Sequence, residues 1–258
     1  MRILTPLRSA SLGLLVVALA SVICGAQSGS LTLDQIVSRM QQARAADRDR
    51  GLAYTVTREY QLAAEGASQP MSDVVAEVSY FPPGEKQYVI VKSEGKERGA
   101  AIVRRVLDHE AAMTAHWQPY ALTPQNYGFA LMGHDAIDGH DCYLLQLSPK
   151  REAPELVRGK AWIDASDFEV RRIAGETAKN PSFWVKNLNV TINYAQVKGV
   201  WLETSTQAVA EIRFAGPHVL TSQELDVRRA TLSARATKPH PPGHHGDIAV
   251  DAASWIAH

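Results

Sequence analysis

The chain has 258 residues, with 27 Lys and Arg balanced by 27 Asp and Glu. That balance offers no overall basic field to a phosphate backbone, so nothing argues for nucleic acid and no such partner is expected. There are only two cysteines, and Cys24 falls in a segment read below as removed, so no intramolecular disulfide is expected and the fold rests on its core.

Arg2 and Arg8 form a positive n-region, and an uncharged run from Leu12 to Ile23 follows. Cys24-Gly25-Ala26 then supplies small residues at a cleavage site. The apolar run of about 12 to 15 residues is too short for a stable helix across ~30 Å of hydrocarbon. Residues 1–26 therefore read as a secretory signal peptide cleaved near Ala26, and the mature chain as exported. A lipid-attached Cys24 would want Gly or Ala before it, where Ile23 stands. Without Arg2 and Arg8 the remaining 232 residues carry 25 basic and 27 acidic side chains, a net of −2. A chain of that size can bury about 70% of its unfolded surface.

Leu33, Ile36, Val37, Met40 and Ala43 line one stripe of a helix over 32–46, with Thr32 and Gln35 spaced as a capping box. The period then changes to two. Leu52, Tyr54, Val56, Arg58 and Tyr60 share one face of a strand, and Val74, Ala76, Val78 and Tyr80 one face of the next. Pro82-Pro83-Gly84 stops it, and 87–92 reads as a third strand. A second amphipathic helix spans 97–115, with Ile102, Val103, Val106, Leu107, Glu110 and Met113 at helical spacing. From Phe129 the chain reads as β: 128–136, 140–147, 157–164, 168–174, 183–195, 199–213 and 218–231. Hairpin turns are expected at Asp138-Gly139, Ser166-Asp167 and Lys198-Gly199. Residues 233–258, rich in His and Pro, read as a disordered tail.

About ten strands with few long crossovers imply an antiparallel sheet, and an open sheet of that length curls. Leu188, Val190, Ile192 and Tyr194 alternate on one strand, and Ala208, Ala210, Ile212 and Phe214 on another. Their apolar face must be covered, and only the two helices can cover it. The fold class is therefore α+β, mainly β: an unclosed antiparallel half-barrel under two amphipathic helices.

Catalytic and cofactor motifs are not found. No Gly-rich phosphate loop, Gly-x-Ser-x-Gly elbow or His-Glu-x-x-His occurs. His109-Glu110 has Met113 where a second ligand would stand. His134, Asp135, Asp138, His140 and Asp141 read as a polar hairpin rather than a metal site. His240, His244, His245 and His258 lie in the tail, and the sequon Asn189-Val190-Thr191 lies inside a strand. Cys142, alternating with Leu144, reads as a packing residue. Arg58 stands out, because it sits on the apolar side of its strand, either snorkelling from an exposed end or contacting helix carbonyls or a ligand headgroup.

Tyr127-Gly128-Phe129, Gly133, Ile137-Asp138-Gly139, Cys142-Tyr143-Leu144-Leu145, Pro149-Lys150, Trp162-Ile163-Asp164, Phe168, Arg171-Arg172, Tyr194 and Gly199-x-Trp201-Leu202 form a pattern over 129–201. It resembles the bacterial outer-membrane lipoprotein-sorting superfamily, the LolA/LolB-like periplasmic carriers. The resemblance implies a half-barrel domain over 27–232 with a helical lid and an apolar pocket for acyl chains. Two departures matter. Where the carriers place an arginine before a proline to hold the lid shut, Phe81 precedes Pro82, and their Trp-Leu-Pro reads Trp201-Leu202-Glu203. The expected function is a non-enzymatic periplasmic binder or carrier of lipids or lipoprotein acyl chains, needing no cofactor and no metal, with membrane-bound donor or acceptor proteins as further partners. A ligand-sensing envelope regulator of the same fold is the alternative, and a secreted hydrolase a more distant one. Candidate lipid contacts are Tyr54, Val56, Val78, Ile102, Val106, Leu107, Met113, Phe129, Leu145, Val190 and Ile192, each also fit for ordinary packing. Arg58 is the candidate lid contact.

Overall fold

A computed structural model describes residues 31–49 and 51–229. The signal segment 1–26 and the tail 233–258 lie outside the described residues. Thr32 and Gln35 do cap the first helix: Thr32 N–H donates to Gln35 Oε1 at 2.9 Å, and Gln35 N–H donates to Thr32 Oγ1 at 3.4 Å. Helix α1 (Leu33–Asp49) runs three residues past the expected end, because no breaker follows Ala45 and Ala46 until Gly51.

The chain then forms β1 (Tyr54–Ala64), β2 (Ser72–Phe81), β3 (Glu85–Gly95) and α2 (Glu97–Ala115), with a 3-10 turn at Gln118–Tyr120. After them come β4 (Tyr127–Ile137), β5 (His140–Pro149), β6 (Val157–Asp164), β7 (Val170–Thr177), β8 (Val185–Val197), β9 (Val200–Ile212) and β10 (Gly216–Arg229). The spatial order is β3-β2-β1-β10-β9-β8-β7-β6-β5-β4, all antiparallel. β3 and β4 have one neighbour each, so the sheet is not closed: an open α+β half-barrel, as the patterning implies.

The topology explains the lid. The chain leaves the sheet at one edge, β3, and re-enters at the opposite edge, β4, so residues 96–126 have to cross the open face. Alternation chooses the face. A registered row runs Val74–Tyr60–Ser222–Thr206–Ile192–Ile173–Ala161–Leu145 across eight strands. Under α2, Tyr60, Val74, Ala76 and Val78 pack with Ala100, Val103 and Leu107. Toward the other edge, Leu145, Leu147, Ala161 and Ile163 are fully buried, as are Ile36 and Met40 of α1, which lies nearest β4.

Two expected turns have the mirror-image geometry that right-twisted strands favour: Asp138 (φ 50°) with Gly139 (φ 81°), and Lys198 (φ 49°) with Gly199 (φ 79°). Two details differ from the sequence reading. The turn after β6 is longer and carries Phe168 at φ 62°. Phe214, expected on the inner face of β9, lies beyond its end in the β9–β10 hairpin, at φ 67° and 95% exposed.

Candidate functional site

The centre of the inner face is polar. Arg58 on β1 is buried, and its Nη1 donates to Glu203 Oε1 at 2.6 Å and to Ser222 Oγ at 2.8 Å. Nη2 donates to the Glu203 carbonyl, and Thr206 Oγ1 donates to Glu203 Oε1 at 2.6 Å. The β8–β9 register shifts at Asn193/Tyr194, beside Glu203; such a bulge re-aims side chains out of strict alternation. Burial opposes the Arg58 charge, but Glu203 outweighs it and raises the guanidinium pKa. Burial likewise pushes Glu203 up, and the Arg58 charge and the Thr206 hydroxyl bring it below the usual carboxylate value. The site therefore holds a charged pair at neutral pH.

Around the pair stand phenols. The Tyr60 hydroxyl is buried beside the Arg58 guanidinium without a partner in full hydrogen-bond geometry among the described residues, and burial followed by the Glu110 charge raises its pKa against the opposing pull of Arg58. Burial and then Glu203 raise Tyr194. Tyr54 is pushed up to about 12 by burial and by Tyr80, whose ring lies 5.3 Å away. Two side-chain contacts tie α2 to β3: Lys86 Nζ to Glu110 Oε2 at 2.7 Å, and Tyr88 Oη donating to Asp108 Oδ1 at 2.7 Å.

Two small cavities adjoin this centre and share Tyr54 and Tyr80. One of about 170 Å³ is bounded by Asp47, Gly51, Leu52, Val200 and Trp201, and one of about 60 Å³ by Val56, Arg58, Val78, Lys86, Leu202 and Glu203. At ~30 Å³ per water-sized group, the larger holds about five or six methylenes. Neither is large enough for a full-length acyl chain, and neither is lined by a residue of α2.

Of the sequence candidates, the fold brings together Tyr54, Val56, Arg58 and Val78 at the smaller cavity. Leu107 of α2 is buried in the cluster that holds Tyr60 and Val74, Ile102 is buried on the same helix, and Val106 and Met113 are half-buried. Val190 and Ile192 on β8 are half-buried, in register with Ala208 and Thr206. Phe129 on β4, its ring 6.1 Å from Tyr127, and fully buried Leu145 on β5 lie toward the opposite edge. The side-chain hydrogen bonds of Arg58 go to β9 and β10 and the Glu110 carboxylate of α2 acts on it through charge, while Lys86 and Tyr88 make the direct contacts from the sheet to α2.

The other clusters are structural. Trp162 Nε1 donates to Asp135, and the His134 ring lies 4.9 Å from that of Tyr143. Asp164 binds the turn: it accepts from the Ser166 N–H at 2.8 Å, the Ser166 hydroxyl at 2.5 Å and Arg171 Nε at 2.8 Å, with His140 Nδ1 at 3.1 Å. Among the described residues no three His, Cys, Asp or Glu side chains are grouped to hold a metal. Burial and Asp164 push the Cys142 thiol up to about 11, which keeps it protonated and unreactive at neutral pH. His109 is half-buried on α2, and Asn189 is exposed on β8.

Sequence reasoning missed Glu203, Thr206, Ser222, Tyr194 and Lys86 as members of the site. Strict alternation from Ala208, Ala210 and Ile212 puts Glu203 on the opposite face, and only the register shift at Asn193/Tyr194 turns it inward, so Arg58 on its apolar face was the one local signal.

No protein-family model matches the chain, and no curated protein does either. Among solved structures, it is similar to an outer membrane lipoprotein-sorting protein domain from Vibrio parahaemolyticus, at 12% identity, covering 76% of this chain and 92% of that one, with TM-score 0.44. It is also similar to a DUF1329 family protein from Desulfovibrio piger, at 13% identity over 75% and 92% of the two chains, with TM-score 0.41. A LolA superfamily protein from Nitrosomonas europaea is similar at 13% identity over 79% and 96%, with TM-score 0.37. Likeness this distant carries no functional argument, and the function has to be argued from the site.

Proposed function

We propose that this chain is an exported, non-enzymatic binder or carrier of lipids or lipoprotein acyl chains, acting in the periplasm. In this reading residues 1–26 are the cleaved signal, 27–232 the binding domain and 233–258 a disordered tail. One observation carries the proposal: an apolar strip on the inner face is left incompletely covered. Leu188, Val190 and Ile192 of β8 and Ala208 and Ala210 of β9 share that face and are half-buried, Leu188 and Ala210 resting against buried Val185 and Ile212. Each methylene laid against such a strip contributes about 0.8 kcal/mol, so one acyl chain is enough for binding without a catalytic group. The protonated Cys142 thiol supports the non-enzymatic reading.

The ligand follows α2 rather than a preformed tunnel: the lid lifts, and the chain lies across Val190 and Ile192 toward Tyr54 and Val78. The test is mass spectrometry of lipids that co-purify with the protein from the periplasm, together with titration by a fluorescent fatty-acyl probe. Stoichiometric acyl lipid and saturable probe binding are expected, and Ile192→Asp is expected to weaken the probe on the order of tenfold. A protein that emerges empty and leaves the probe unbound would overturn the proposal.

A further inference from the structure

Phe214 is costly where it stands. It occupies the left-handed region at φ 67° in the β9–β10 hairpin, a conformation that disfavours any side chain with a Cβ, and its ring is 95% exposed. The sequence places glycine two residues later, at Gly216, so the turn itself does not need an aromatic. Neither cost is recovered inside the fold.

A second aromatic is clamped beside it. Phe183, in the β7–β8 loop, is 71% exposed. Arg213 holds the two loops together: its N–H donates to the Trp184 carbonyl at 2.8 Å and its Nε donates to the Phe183 carbonyl at 2.7 Å. Its guanidinium also lies 4.8 Å from the Phe183 ring centroid, and the Phe183 and Trp184 rings meet edge-on at 5.5 Å. Two exposed phenylalanines are thus presented by one braced platform at one end of the sheet, away from the cavities at Tyr54 and Tyr80. Arg213 stands against Phe183 as a cation, Lys179 lies four residues before Phe183 in the same loop, and Lys186 is paired with Glu211 at 3.4 Å.

We propose that this tip is a membrane-docking site: Phe183 and Phe214 insert at the interface of an anionic bilayer, with Lys179 and Arg213 at the level of its headgroups. Aromatic side chains favour that interface, and basic residues beside them add attraction to anionic lipid. A second copy of the chain is a poorer occupant, because a two-fold contact through this tip brings the same cations face to face. The inference goes beyond the acyl-binding reading and does not depend on it.

The test is co-sedimentation of the protein with vesicles of phosphatidylcholine, with and without phosphatidylglycerol. Binding is expected to the anionic vesicles and to weaken with salt. Phe183→Ala and Phe214→Ala are each expected to weaken it on the order of tenfold. Phe214→Gly separates function from folding. Relieving the strained φ leaves the thermal midpoint equal to or above that of the parent, while vesicle binding falls as in Phe214→Ala. The same variant keeps parental affinity for a fatty-acyl probe in vesicle-free buffer, so failure here and failure of the carrier reading are told apart. The proposal is overturned if the parent ignores anionic vesicles, if the double alanine variant binds them unchanged, or if light scattering shows a dimer that Phe214→Ala dissolves.

Discussion

Replacing one member of the Arg58–Glu203 pair should destabilise the protein far more than replacing both. The Arg58 side chain is 7% exposed and that of Glu203 28%, so Glu203→Gln leaves a guanidinium in the sheet with its countercharge gone. Breaking a buried pair in this way costs about 3–5 kcal/mol. Glutamine retains an acceptor, and Glu203 is partly wet, which argues for the lower end, about 3 kcal/mol. In a domain of this size that lowers the thermal midpoint by roughly 6–12 °C. Replacing both by apolar residues of similar volume, Arg58→Met with Glu203→Leu, removes the uncompensated charge and should return stability to within about 1 kcal/mol of the parent.

Urea unfolding at neutral pH measures all three proteins, and acid adds a second arm. The Glu203 carboxyl titrates below its ordinary value of 4.5 in the folded state. Its contribution is therefore fully present above that value and is lost as the pH falls through the lower folded pKa. The gap between the parent and Glu203→Gln should close over that acid range and nowhere else. If Glu203→Gln sits within about 0.5 kcal/mol of the parent at pH 7, or if the double variant is no better than the single one, the pair is not the buried charge argued here.

Asp164, held at about 2 against an ordinary 3.8 by the Ser166 and Arg171 hydrogen bonds that outweigh its burial, contributes stability above 3.8 that is lost as the pH falls toward 2; Asp164→Asn should flatten the unfolding midpoint across that window. Gly159 packs backbone to backbone on β7, where an added Cβ meets the Ala174 carbonyl oxygen at 2.1 Å and the Gly175 Cα at 2.6 Å. Gly159→Ala should therefore cost about 2 kcal/mol or more in urea, and parental stability would contradict the packing. Tyr60→Phe removes a buried hydroxyl that lies beside the Arg58 guanidinium without full hydrogen-bond geometry, so calorimetry should find a change of no more than about 1 kcal/mol; a larger loss would mean that the hydroxyl is a full hydrogen-bond partner of Arg58.

The architecture was legible because each inference rested on a period or a local rule. Thr32 and Gln35 announce a helix start, and Asp138-Gly139 and Lys198-Gly199 each provide two residues that tolerate positive φ. The alternation from Tyr54 to Tyr60 fixes which face is buried, and Arg58 was visible as an exception to it. Its partner was not, because Glu203 lies 145 positions away on a strand whose register shifts at that point, and a bulge defeats a period-two reading. Phe214 differs for the opposite reason: β9 ends at Ile212, and two residues on, in the turn, the period of two no longer applies. Lys86 and Glu110 meet only because α2 returns over β3, a tertiary fact that no local window contains.

The placement of the charge pair also bears on how a lid could open. The side-chain hydrogen bonds of Arg58 run to Glu203 and Ser222, both within the sheet, so none of them has to break for α2 to lift. Lifting α2 exposes Ile102, Val103 and Leu107, uncovers Tyr60, Val74 and Val78 beneath them, and breaks the Lys86–Glu110 and Tyr88–Asp108 contacts. At about 1.5–3 kcal/mol for each large side chain, the apolar part alone is on the order of 9–18 kcal/mol, an upper estimate and too much for an open state to be populated appreciably alone. An acyl chain burying about twelve methylenes returns about 10 kcal/mol at ~0.8 each, which offsets a large share of that cost but not all of it. A lifted α2 is therefore expected only with ligand in place, and the hydrogen bonds between Arg58 and Glu203, which lie within the sheet, do not have to break for it.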